Sequence, residues 1–520
     1  MALYLADGVR RSGSLAFFIG LGLCLSFALF FFWPHPPASL LFLVVAAALA
    51  SIRLEIAIAL LPLTFPYDNY LLPLSASGYP QFYLAELGVI ICLGAALLRH
   101  ALLPAERQAT RVWLGKLWRQ AHPFLTPAVL LLLGASLALL VSPVQHLSLR
   151  AYREEILEPL VYFLLMLRYL RTRSDLARTV GALILSALLV ACIGIAQGFI
   201  QVRGLSDILN PGAFRIRGST NGPNNLGFLL DRAIPLLLAL AFVGALRQGR
   251  GKGRHPTQEA GSQQPAWCDP LRWVCLGLLL PLVWALYWSD SHGAEIALLM
   301  VAFCFFAFEV RSKLVILVTG GAGILGIVLF WPRIVALLNS GAHGKFWERL
   351  TIWKAAVLMI RDHMLLGIGP DSFKTLYQPS APNSYLLQAL DDQRSAAPIA
   401  TISHPHNFIL DFWLSAGLLG VVAIFWLLGA FAVVVVRTYR RCAALPQGRL
   451  PQYLVLGIAG CMAASVIHGL VDKMYFLPDL ALSFWFFLGV LLVLRTIAEQ
   501  ESAALRQETR KPGEEVSVMQ

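Results

Sequence analysis

The chain has 520 residues, of which 58% are apolar and 13% charged, where soluble domains carry about a quarter charged residues. That balance excludes a soluble globular fold. The formal charge of +12 does not point to nucleic acid, because the basic residues cluster in short segments between apolar runs, as cytoplasmic loops of membrane proteins do.

The apolar runs are about 17 to 22 residues long, enough to cross roughly 30 Å of hydrocarbon as helices. In chain order they cover 14–33, 38–51, 54–65, 83–99, 124–142, 155–170, 178–200, 226–246, 273–288, 293–310, 314–331, 406–436, 453–470 and 479–496. The expected fold is an all-α integral membrane protein with about 12 to 14 transmembrane helices. The first run follows Arg10 and Arg11 and lacks a small-residue cleavage site, so it reads as a retained helix. The second and third are short and flank Arg53, which reads as a tight hairpin or as runs that do not span fully. The eight cysteines are scattered and form neither a disulfide framework nor a zinc pattern.

An N-terminus inside puts Arg107, Arg111, Lys116, Arg171, Arg173, Arg250, Lys252, Arg254, Arg437, Arg440 and Arg441 in the cytoplasm, in line with the positive-inside rule. The Gly-, Gln- and Pro-rich stretch 247–273 and the tail after Arg495 read as flexible cytoplasmic segments. The chain divides into N-terminal helices over 1–200, a candidate catalytic membrane region over 201–496 and a cytoplasmic tail over 497–520.

Two segments carry arginines on the opposite, exoplasmic side. One is 201–225, with Arg203, Arg215 and Arg217; the other is the large loop 332–405, with Lys345, Arg349, Lys354, Arg361, Lys374 and Arg394. Loops of that length without structure are uncommon unless functional. From Phe346, Leu350, Trp353, Val357 and Ile360 recur at helical spacing, which predicts an amphipathic helix inside the loop. Gly367-Ile368-Gly369-Pro370-Asp371 then reads as a turn whose glycines permit close backbone approach.

The densest chemistry is Ser403-His404-Pro405-His406-Asn407 at the outer mouth of a long apolar run, followed by Gly417 and Gly420. On a continuous helix Gly417 and Gly420 lie about 20° and about −40° from His406, one shared face on which a neighbouring helix could approach, whereas His404 points about 200° away. A helix N-terminus and nearby arginines favour a neutral His406 able to accept a proton, with Asn407 placed to orient the ring or a sugar hydroxyl. The plain structural alternative is a helix cap, Ser403 or His404 at the N-cap and Pro405 in the first turn. No Asp-x-Asp stands in the outer loops and no Cys or carboxylate obviously completes a ligand set with His404 and His406, so no metal is expected. Glu158, Asp231 with Arg232, Asp411 and Asp472 are costly in a membrane unless they face a wet cavity or a partner.

These motifs resemble the O-antigen ligase and O-antigen polymerase superfamily of membrane glycan transferases. His406-Asn407, nine residues, then Gly417-Leu418-Leu419-Gly420 is similar to its ligase signature. Arg349-x-x-x-Trp353 with Asp362 to Pro370 resembles its large-loop pattern, Arg215-x-x-Gly218 with Pro223-Asn224 the preceding outer loop, and His468 to Asp472 the penultimate helix end. Where many members have Ser-Arg-Gly, this chain has Ser291-His292-Gly293, which implies a cationic phosphate contact that is weaker or supplied from elsewhere, with another part for His292.

The resemblance implies transfer of an undecaprenyl-diphosphate-linked glycan to a hydroxyl on glycan, lipid or protein, at the outer face of a bacterial inner membrane, without nucleotide sugar, cofactor or metal. It implies His406 with Asn407 as the catalytic pair and Arg215, Arg217 and Arg349 as diphosphate ligands, since a guanidinium holds phosphate oxygens bidentately and stays charged. His292, Arg361, His404 and Asp472 are expected as lining groups, with Arg361 more occupied by its neighbour Asp362. Surface-polysaccharide ligase is the leading reading, with polymerase and protein O-oligosaccharyltransferase as alternatives. A lipid-linked glycan flippase is the rival from another class; against it, no inverted repeat is visible and the polar residues gather at one face.

Overall fold

The computed structural model describes residues 13–32, 36–67, 82–202, 214–241, 270–310, 345–390, 402–445 and 449–508, with the isolated positions 204, 317 and 321. The expected span 314–331, the stretch 247–273 as far as residue 269, and Arg203, Arg250, Lys252, Arg254 and Arg394 lie outside the described residues apart from those isolated positions. Among the described residues every regular element is a helix, as the composition requires: in hydrocarbon only a helix or a closed barrel satisfies its own backbone polar groups.

The helices are α1 (Gly13–Phe32), α2 (Pro36–Ile52), α3 (Leu54–Leu60), α4 (Leu84–Leu102), α5 (Pro104–Leu140), α6 (Gln145–Tyr152), α7 (Glu158–Tyr169), α8 (Arg173–Gln201), α9 (Pro223–Asp231), α10 (Ile234–Ala241), α11 (Pro270–Ser289), α12 (His292–Val310), α13 (Lys345–Asp362), α14 (Phe373–Tyr377), α15 (Tyr385–Ala389), α16 (Phe408–Ala443), α17 (Arg449–Gly469) and α18 (Pro478–Glu508). Nine described helical segments, with α9 and α10 counted together as one, are long and apolar enough to cross a membrane. The apolar stretches over α2, α3, α7 and α12 are shorter or bent, which is why this count falls below the number of apolar runs. The α2–α3 pair turns by 119° at Arg53, where Arg99 donates to the exposed carbonyls of Ser51 and Ile52. The two short runs are thus a sharply bent pair, not one straight span.

The final span is the centre of the molecule. Its apolar window is 89% buried, against 28% for α1 at the periphery, and Trp485, Phe486 and Phe487 of α18 are packed on Tyr162 and Phe163 of α7 and on Phe65. In the tail after Arg495 the described residues, up to Glu508, are not flexible as expected but continue α18. Arg441 and Arg495 meet Glu499, and Arg173 meets Glu501 at 2.6 Å. The basic stretch 104–122 is likewise helical and continuous with the next span.

The large loop between α12 and α16 has a small core of its own among its described residues. Ile352, Ala355, Ala356, Met359 and Ile360 of α13 pack on Phe373, Tyr377 and Leu386, and the cluster is seated on Leu414 of α16. The amphipathic helix is where its spacing placed it, but Val357 is exposed and Ile352 and Met359 are the buried contacts. In water, each such side chain contributes about 1.5–3 kcal/mol when fully buried, so this loop is held as a folded unit.

Its seat on the membrane domain depends on glycines. Gly417 breaks α16 with φ 66° and ψ −164°. Leu365 to Gly369 then lies across the break: Leu418 N–H donates to Leu365 O, and the N–H groups of Ile368 and Gly369 donate to Leu414 O at 2.7 and 3.2 Å. A Cβ on Gly417 would overlap the Leu365 carbonyl, and one on Gly367 the carbonyls of Leu414 and Trp413. The broken helix supplies the partners the loop backbone needs, and the loop satisfies the carbonyls that the break frees. Gly417 and Gly420 thus do not form one helical face with His406, because the helix starts after His406 and is interrupted at Gly417.

Candidate active site

The site forms at the end of the bundle where the 214–222 segment, the α11–α12 turn, the large loop, the start of α16 and the α17–α18 turn converge. Asn407 is the N-cap of α16: its Oδ1 accepts from Ile409 N and Leu410 N, while its Nδ2 donates to Leu470 O at 3.0 Å. Both ends of this amide are used, so Asn407 braces the α16 entry against the α17–α18 turn. His406 precedes the cap in a left-handed conformation, φ 50°, and Trp353 Nε1 donates to its carbonyl at 3.3 Å. That backbone turn, with Pro405 before it, brings His404 and His406 side by side, ring centroids 4.0 Å apart. The expectation that His404 points away is wrong, since neither residue is helical.

Both imidazoles converge on Asp472, whose side chain is 4% exposed. His406 Nδ1 lies 3.0 Å and His404 Nε2 3.3 Å from Asp472 Oδ1, which also accepts from Lys473 N at 2.9 Å. Oδ2 accepts from Asn224 Nδ2 at 2.8 Å, and Arg349 approaches it at 3.8 Å. Burial pushes the Asp472 carboxyl up, but hydrogen bonds from His404 and His406 outweigh it and hold the group well below the usual carboxylate range. An ionised acceptor requires that the ring nitrogens facing it carry the protons. His404 then has both nitrogens engaged, Nδ1 with Ser403 Oγ at 3.1 Å. His406 keeps Nε2 without a partner among the described residues, an acceptor lone pair at the site's surface. Burial, with the charges of Lys473 and His406 nearby, holds His404 well below its ordinary 6.5 against the pull of Asp472.

The network extends to a second cation. Arg215 NH2 donates to Asn224 Oδ1 at 3.0 Å, so an unbroken chain runs from Arg215 through Asn224 and Asp472 to His406. Arg215 also holds the carbonyls of Ser289 and Asp290 and sits 3.5 Å from the Asp290 carboxylate. Arg349 is 27% exposed and its NH1 is buried with no partner. Arg217 is exposed, with no ion pair among the described residues. Arg361 stands apart, paired with Asp362 at 3.1 Å. His292 is 68% exposed at the rim, against Glu295 at 3.1 Å and near Asp290, which links it indirectly to Arg215.

His404, His406 and Asp472 also put three donor atoms within 4.8 Å of one another, the carboxylate that sequence reasoning did not see for a metal set. The chemistry around it fits a hydrogen-bonded anion better than a cation cage. Four N–H donors already point at the carboxylate and the charges of Arg349 and Lys473 are beside it. Asn224 and Lys473 were not singled out as site residues from the sequence. Asn224 lay inside a quoted motif, and Lys473 had only its adjacency to Asp472 as a signal.

Comparison with known proteins bears on this geometry. Nothing among curated proteins matches the chain. Residues 277–425 match a family model described as O-antigen ligase, a stretch that runs from α11 through the loop to α16 and includes Arg349, His404 and His406, while Arg215, Asn224 and Asp472 reach the same site from outside it. That stretch, which carries much of the polar cluster at one end of a bundle of apolar helices, is similar to the O-antigen ligase family, and the match supports the O-antigen ligase superfamily.

Proposed function

We propose that the protein transfers a glycan from a lipid diphosphate to a hydroxyl acceptor at the exoplasmic face of a bacterial inner membrane, as a surface-polysaccharide ligase. The observation that carries the reading is the His406–Asp472 contact at 3.0 Å, which fixes the Nδ1–H tautomer and leaves Nε2 as base. In the step proposed, His406 Nε2 takes the acceptor O–H proton, the acceptor oxygen bonds to the anomeric carbon, and the bond from that carbon to the diphosphate oxygen breaks. The electron pair leaves with the lipid diphosphate. Asp472 stabilises the imidazolium that forms, as a carboxylate does in a hydrolytic triad.

The departing diphosphate needs positive charge that cannot be neutralised by proton loss. Arg349 with its unpartnered NH1, exposed Arg217, and Arg215 behind them meet that need. The donor lipid is undecaprenyl diphosphate in this reading, and neither metal nor nucleotide sugar takes part. His292 and His404 line the pocket without acting on the reacting atoms.

The test uses the full chain in proteoliposomes with an undecaprenyl-diphosphate glycan and candidate acceptors. Release of undecaprenyl diphosphate with attachment of the whole glycan to a lipid acceptor is expected in the presence of a chelator. A ladder of lengthened donor glycan would instead identify a polymerase. Movement of intact donor across the bilayer without release of diphosphate would overturn the enzyme reading in favour of a flippase.

A further inference from the structure

A second polar recess lies at the opposite end of the bundle. It is a groove of about 510 Å³ between α5 and α18, floored by the end of α7. Its α5 wall is one helical face, with Gln108, Val112, Lys116 and Gln120 at four-residue spacing and Trp113 beside them. Glu106 of α5 is tied to Arg99 at 2.9 Å and to Arg168 at 2.8 Å. Further along, Gln120 Nε2 donates to Thr496 Oγ1, beside the first basic residue of α18. Both ends of the 104–122 stretch thus contact the ends of neighbouring spans where α4, α7 and α18 give way to charge. Its exposed Arg107, Arg111 and Arg119 with Val112 and Trp118 suit an interfacial helix.

The groove below it is amphipathic. Leu167, Leu170, Val493 and Ile497 make an apolar floor, and no carboxylate lines it. The neighbouring acids are occupied elsewhere: Glu106 with Arg99 and Arg168, Asp175 with Arg178, Glu499 with Arg441 and Arg495, Glu501 with Arg173. What faces the recess is the cation Lys116, with no ion pair among the described residues, Arg171 at the α7 end, and neutral amide donors from Gln108, Gln120 and Gln500. Trp113 Nε1 is buried with no partner.

We propose that this groove binds one anionic glycerophospholipid of the cytoplasmic leaflet, its phosphodiester on Lys116 and Arg171, its headgroup hydroxyls on the glutamine amides and its acyl chains along the apolar floor. A phosphodiester monoanion matches a groove of one sign with several neutral donors. A zwitterionic lipid would bring an ammonium into a site that offers no carboxylate.

The test is native mass spectrometry of the full chain released from vesicles holding equal phosphatidylglycerol and phosphatidylethanolamine. One phosphatidylglycerol retained in preference is expected. Lys116→Glu should lower that retention about fivefold or more, since a basic residue near an anionic lipid is worth about that factor, and Gln108→Leu should lower it less. Arg111→Gln, on the exposed side of the same helix, should leave it unchanged. Equal retention of both lipids, retention unaffected by Lys116→Glu, or an equal loss in Arg111→Gln would overturn the site. Displacement by inorganic phosphate alone would also overturn it, by identifying a free-phosphate site. Circular dichroism and elution volume establish that each variant is folded, and Ala109→Trp, which fills the groove without changing charge, gives a second route to the same loss.

Discussion

His406 and Asp472 are 66 residues apart in the chain and 3.0 Å apart in space, and the same carboxylate oxygen receives His404 at 3.3 Å. One buried anion therefore orders two imidazoles, and only His406 has a ring nitrogen left over. On the proposed function, His406→Ala should lower turnover by about 10²–10⁴ while donor binding persists, because general-base help is worth that much and the cations are untouched. Single-turnover transfer alongside a donor-binding measurement checks this; near-wild-type turnover in folded His406→Ala would return the residue to a packing role.

Asp472→Asn separates orientation from charge. The amide keeps the size but no longer selects the Nδ1–H tautomer, and the comparable change in a hydrolytic triad costs about 10⁴ in turnover. A loss in kcat with little change in donor KM is expected. A change in KM alone would mean that Asp472 serves only to hold Arg349 and Asn224.

Arg349 and Arg361 lie on one helix and predict different outcomes. Arg349→Ala should raise donor KM and lower transfer, with partial recovery in Arg349→Lys, which restores a charge but not a fork. Arg361→Ala should be mild, since its guanidinium is 69% exposed and spent on Asp362. Kinetics over a donor series decide it, and equal effects at the two positions would remove the specific clamp.

The pH dependence of stability carries a defined sign. His404 is held well below 6.5 in the fold, whereas an unfolded histidine titrates near about 6.5. Below that value the unfolded chain binds the extra proton, so His404 contributes a loss of stability as pH falls from about 6.5 toward 5. Asp472, held low, is ionised in both states over that window, so its contribution is full and constant there and is lost only at lower pH, as the unfolded carboxylate takes up a proton. The melting temperature in detergent should drop between pH 7 and 5, and drop less in His404→Gln. An identical pH slope in both proteins would show that His404 is not buried neutral.

Gly417→Ala should destabilise the fold by about 1–3 kcal/mol or more, from a left-handed backbone together with overlap of the Leu365 carbonyl. Gly429→Ala, twelve positions along the same helix with open space around it, should be neutral or slightly stabilising. Thermal unfolding of the pair checks this; equal melting temperatures would mean that the loop does not need the break in α16.

The sequence by itself determined the helices. A long apolar run has one way to satisfy its backbone in hydrocarbon, so spans such as 178–200 and 479–496 were legible without any partner. Arg349, His404 and His406 were legible as well, from residue type and from spacing within one stretch. Several features were not: the left-handed His406 that turns His404 alongside it, the break at Gly417, the continuation of α18 past Arg495, and the role of Asp472 as the common acceptor. Each depends on a group distant in the chain. The carbonyl of Leu365 fills the break, Arg173 and Arg441 hold the extended end of α18, and Asn224 reaches Asp472 across 248 positions. Helices are set by hydrogen bonds four residues long, which a local pattern records. The acidic centre of the site is set by which helix ends packing brings together, and no local pattern carries that.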